Sequence, residues 1–138
     1  MTQQTGTGNR DPRVVEAINE AIKLEASGQT GLAIALLESL VQQFPGVASI
    51  RAYLAWFLSS ENRFREAIEH GREAVHLSPR LEKTSLVLFH VLWKAGQQSQ
   101  AIDEARRFLT IRTSSEYSAI LDKWEAGEKV RESGESHL

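Results

Sequence analysis

Three tryptophans, four histidines and no cysteine are the side chains in this 138-residue chain whose chemistry stands out. The lack of cysteine removes thiolate nucleophiles, disulfide frameworks and cysteine-rich zinc sites together. His70 and His76 are six residues apart, a spacing that puts them on different sides of a helix rather than on one metal-binding face. His90 has no motif around it and reads as a packing or contact residue rather than an acid–base group. No HExxH, P-loop or GxSxG pattern occurs, and Gly28, Gly31, Gly46, Gly71 and Gly96 are spread as punctuation rather than gathered to cradle a phosphate. The expectation is a protein that is not an enzyme, with no catalytic residue, no metal and no cofactor. What remains is contact chemistry, carried by the tryptophans, which bury a large area with few rotors and keep one polar atom.

Composition narrows the partner. With 41% apolar and 25% charged residues, the chain has the make-up of one ordinary globular domain. Its 16 basic residues against 18 acidic ones give a net charge of −2, which argues against nucleic acid as ligand. No apolar run approaches the ~18 residues of a membrane helix, and the polar start MTQQTGTGNR has no apolar signal core. These features predict a cytoplasmic protein with neither nucleic acid nor membrane as partner.

The elements that must position the tryptophans are set by a repeat. Gly28, Ala33 and Ile34 recur as Asn62, Ala67 and Ile68, and again as Gly96, Ala101 and Ile102, always 34 residues on. Leu24, Leu58 and Leu92 keep the same phase before the stretch, and Val41, Val75 and Leu109 keep it afterwards. Apolar residues at steps of three and four on both sides of each turn predict paired helices. After a flexible leader over 1–11, Asp11 and Pro12 read as the cap and first residue of a helix. Helices are expected to near Gly28, then over 31–44, 48–60, 64–77, 82–95 and 98–111, with Pro45 and Pro79 closing the first two pairs. Thr113 and Glu116 form a capping-box pattern for a seventh helix over 114–126, followed by a flexible charged tail over 128–138. The chain is therefore expected to be all-α, with helical hairpins over about 14–47, 48–81 and 82–113 and one capping helix that closes the open end.

The sequence Phe64-Arg65-Glu66-Ala67-Ile68, with Ala74-Val75-His76-Leu77-Ser78-Pro79 after it, resembles the second half of a tetratricopeptide repeat, a family of the same period. The likeness spans residues 14–126, although Leu54-Ala55 stands for the family's Leu-Gly, Leu24, Leu58 and Leu92 stand for its Tyr, and Thr113 replaces a third closing proline. The resemblance implies a right-handed superhelical stack in which the first helix of each hairpin lines a concave groove that receives a peptide or helix of a partner protein.

On that footing, the 34-residue step places Ile22, Trp56, His90 and Trp124 at one groove position and Ile18, Ala52, Leu86 and Ile120 at its neighbour, with Tyr53, Trp93 and Lys94 beside them. Trp56 and Trp124 fit either display in the groove or packing between hairpins. Trp93 is in phase with the polar Glu25 and Ser59, so its position does not require a core residue, whereas Tyr53, in phase with Val87 and Leu121, leans to the core. Arg51, Lys83 and Lys94 are candidates for positive charge beside the groove, and Arg63, Arg65, Arg106 and Arg107, interleaved with acids, read as solubilising ion pairs. Some members of the family clamp the acidic tail of a heat-shock chaperone with Lys, Asn and Arg. The matching positions here are Ile18, Ile22, Tyr53, Lys83 and Val87, of which only Lys83 suits that task. The expected function is a non-catalytic adaptor or chaperone-like module that binds an apolar or amphipathic segment of another protein. The alternative is a homodimer or larger homo-oligomeric scaffold that pairs through the groove or the terminal helix.

Overall fold

The computed structural model describes residues 11–135, and side chains as far as residue 128. The leader over 1–10 and residues 136–138 lie outside the described residues. Within these bounds the chain forms helices α1 (Pro12–Ala26), α2 (Thr30–Gln43), α3 (Ala48–Ser60), α4 (Phe64–Leu77), α5 (Glu82–Lys94), α6 (Gln98–Leu109) and α7 (Ser115–Glu135). None of them is long and apolar enough to cross a membrane.

The first helix starts where Asp11 and Pro12 place it, since the Asp11 carboxylate accepts from the Arg13 N–H at 2.9 Å and the proline sits in the first turn. Each hairpin then turns by one repeated device. Gly28, Asn62 and Gly96 have φ of +85°, +62° and +87°. The next residue in each case, Gln29, Arg63 and Gln97, donates its N–H to the carbonyl of Leu24, Leu58 and Leu92. This bond closes the helix end, and the left-handed residue it needs explains why glycine or asparagine recurs there.

The hairpins pair α1 with α2, α3 with α4 and α5 with α6, and they stack so that α1 meets α3 and α3 meets α5. Ala33, Ala67 and Ala101 are completely buried at the close approaches of the second helices. Gly71 differs from its expected role as punctuation. It lies inside α4, where an added Cβ would stand 3.2 Å from Leu88 Cδ1, so the missing side chain admits α5.

The terminal helix departs from expectation twice. It continues through Gly127 to Glu135 rather than stopping at residue 126, because the residues that follow are mostly helix-favouring Glu, Lys and Arg with no proline to break the run. Its cap is Ser114 and not Thr113: the Ser114 hydroxyl accepts from the Tyr117 N–H at 3.1 Å while donating to Glu82 on α5. Glu116, the expected second member of a capping box, instead faces His90. The helix also differs chemically from the inner helices before it. Positions buried in α3 (Leu54, Phe57) and in α5 (Leu88, Val91) become Asp122 and Glu125 in α7, both exposed. Glu125 lies 3.7 Å from Arg106 of α6.

Candidate partner-binding face

The helices that open each hairpin present two adjoining clefts. The first, of about 400 Å³, lies between α3 and α5. Ala52, Tyr53, Trp56 and Phe57 form its α3 wall, Lys83, Thr84 and Val87 of α5 with Leu81 just before that helix form the other, and Ile22 reaches in from α1. The second, of about 510 Å³, lies between α5 and α7. Phe89, His90 and Trp93 face Ile120, Lys123 and Trp124 across it, with Gln98 of α6 at its edge.

One run of rings joins the clefts. Trp56 meets His90 edge-on with centroids 6.1 Å apart, and His90 meets Phe89 edge-on at 5.3 Å. Phe89 stacks on Trp93 at 5.6 Å, and Trp93 meets Trp124 edge-on at 5.8 Å. These are favourable offset and edge geometries, so the rings hold one another in place. The run is nonetheless open to solvent, with Trp56 48% and Trp93 37% exposed, and the neighbouring Ile22 and Leu81 37% and 45%. Phe89 is its buried anchor, touching Tyr117 from below at 5.6 Å.

The nine residues singled out from sequence divide. Ile22, Tyr53 and Trp56 line the first cleft, and His90, Trp93 and Trp124 the second. Ile18 and Leu86 are half-buried against the two core clusters and line neither cleft, and Lys94 is exposed outside both. Trp56 is thus on the surface rather than in the core, while Trp124 is half-buried within the cleft wall. Phe89 and Lys123 escaped the sequence reading although they are in phase with each other, one position before His90 and Trp124; the 34-residue step holds that signal. Leu81 precedes α5 and belonged to no helical stripe.

The electrostatics are one-sided. Lys83 lines the first cleft and Lys123 the second, and neither cleft has a carboxylate in its lining. Arg51 is not beside them, contrary to expectation. Its guanidinium points to the second helices, donating to His70 Nδ1 at 3.3 Å and to the Pro45 carbonyl at 3.5 Å. Burial, with the nearby Arg51 charge, holds the His70 pKa below its ordinary value.

Beneath the second cleft lies a buried polar network. Ser85 donates to Glu104 and pairs with the Tyr117 hydroxyl, both at 2.7 Å, and Glu104 is gripped by Arg107 at 2.9 and 2.6 Å. Arg107 also donates to the Pro79 carbonyl at 3.1 Å. Burial pushes the Tyr117 hydroxyl well above the usual phenol range, so it stays protonated. Arg107 is therefore no mere solubilising charge. This network positions α7, and so the far wall of the second cleft.

The sequence matches no protein-family model, and no curated protein matches it. Among solved structures, a point mutant of MamA is similar with a TM-score of 0.62 and 20% identity over 75% of each chain. A second structure, MamA AMB-1, gives a TM-score of 0.60 and 22% identity over 75% of this chain and 58% of that one, so this chain spans little more than half of its length. At such identity the likeness concerns the fold. Together with the hairpin geometry, it makes the chain a TPR-like stack of three helical hairpins closed by a terminal helix.

Proposed function

We propose that this chain is a non-catalytic interaction module that holds an apolar or amphipathic segment of a partner protein against the α3–α5–α7 face. The observation that carries the reading is the solvent-open run of rings from Trp56 to Trp124. A face with only a structural duty would present polar side chains there, as α7 does on its opposite side. Aromatic anchors beside apolar clefts are what dominates binding energy at protein interfaces.

The test compares partner capture by the native chain and by a Trp56→Ala/Trp93→Ala variant. Loss of the captured protein with unchanged helical circular dichroism supports the reading. Unfolding of the variant, or capture that continues unchanged, overturns it. A second reading, self-association through the same face, is favoured by the exposure of Leu81 and Ile22 next to Trp56. Sedimentation across concentrations separates the two, because a strictly monomeric chain excludes the second.

A further inference from the structure

The two clefts offer a ligand few hydrogen-bond acceptors. In the first, Thr84 is out of a ligand's reach at 2% exposure, its hydroxyl hydrogen shared between the carbonyls of Ser78 and Leu81, both at 3.0 Å, and Ser49 is engaged within the chain. What the lining presents beyond carbon is the Tyr53 hydroxyl, the Trp56 indole N–H and the Lys83 ammonium, of which the last two only donate. In the second, the indoles and Lys123 again only donate, which leaves one ring nitrogen of His90 and the side-chain carbonyl of Gln98 at the edge as acceptors. An extended peptide brings an N–H donor at every residue except proline, and buried donors need acceptors. A helix arrives with those bonds already made, and can present an apolar stripe to such a surface.

The charge pattern points the same way. Although the chain as a whole carries −2, the charged side chains lining the clefts are Lys83 in the first and Lys123 in the second, with Glu116 of α7 facing His90 at 3.9 Å. Glu82, at the start of α5, lines neither cleft and accepts from the Ser114 hydroxyl. The first cleft sits against the amino-terminal half of α5 and the second against its carboxy-terminal half. With packed helices about 8–10 Å apart, the clefts are on the order of two turns of a ligand helix from each other.

We propose that the occupant of this face is an amphipathic helix of a partner protein, whose apolar stripe fills both clefts and whose flanks carry Asp or Glu opposite Lys83 and Lys123. The inference rests on the reading of the face as a docking site and adds the conformation and charge of what docks. It also explains why the lysines stand at the cleft walls, where their stems cover apolar surface and their ammonium groups reach a bound carboxylate.

Three synthetic peptides of about five helical turns test it. One has a leucine stripe flanked by glutamates, the second replaces the glutamates by lysines, and the third keeps the acidic composition but carries two central prolines. All three tryptophans line the clefts, so intrinsic emission reports occupancy directly. The acidic helix is expected to bind at least tenfold more tightly than either other peptide, and Lys83→Gln and Lys123→Gln each to weaken it several-fold. Equal binding of the lysine peptide overturns the charge assignment, and equal or tighter binding of the proline peptide overturns the helix. If no peptide binds while the double tryptophan variant still loses its captured partner, the inference fails and the docking face stands. If no peptide binds and the chain sediments as a closed dimer, a second copy is the occupant and both fail.

Discussion

The seam between α3 and α5 and the seam between α5 and α7 carry equivalent clefts but are built from different physics. Under the first lies an apolar cluster in which Leu54, Leu58, Phe57 and Val91 are 0–4% exposed. Under the second, Phe89, Phe108 and Tyr117 surround the hydrogen-bonded Ser85–Glu104–Tyr117–Arg107 group. The difference follows from neighbours. α3 is covered by its own hairpin partner α4, so nondirectional burial suffices to seat it. α7 has no following helix within the described residues, and directional bonds fix its orientation where area alone would leave it loose.

The comparison predicts unequal responses. Leu58→Ala, at a fully buried site of the first seam, should cost about 2–5 kcal/mol of global stability by loss of transfer energy plus a cavity. Chemical denaturation would show it as a lower midpoint with all helices melting together. Tyr117→Phe should cost about 1–3 kcal/mol, because Ser85 loses a buried partner. Hydrogen exchange should place that loss mainly in α7 while α1–α4 stay protected; uniform loss would mean that the two seams are not independent. Ser114→Ala removes the α7 cap, worth about 1 kcal/mol, and should fray the first turn of that helix, visible as faster exchange at Tyr117.

The smallest effect concerns His70, in the hairpin of the first seam. Its folded pKa is lowered, so below the ordinary value near 6.5 the unfolded chain binds more protons than the folded one. Stability should therefore fall as pH drops below about 6.5 and level off below the depressed folded pKa. Melting temperature against pH reads this, and His70→Gln should flatten that part of the profile.

Much of the frame was legible from sequence because hairpin turns and close approaches are local demands. Gly28, Asn62 and Gly96 recur where a left-handed residue is needed, and Ala33, Ala67 and Ala101 recur where helices meet. The candidate face was legible in part, since the same step placed Ile22, Trp56, His90 and Trp124 on one side. It could not pair Trp93 with Trp124, which are 31 residues apart and out of phase. Nor could it foresee that Arg51 turns away toward His70, or that Ser85, Glu104 and Tyr117 converge beneath the second cleft. The polar cap was misread by one position because Thr113 and Ser114 have the same capping chemistry, and only the approach of Glu82 favours the second.

The sequence alone determined the number of hairpins, where each turns, and which residues are equivalent from one unit to the next. A period specifies equivalence and nothing more. The tertiary structure decided which side chains from different helices meet, because that depends on how neighbouring helices cross and on what covers each of them. Equivalent positions therefore end as core under α3 and α5 and as open carboxylates on α7.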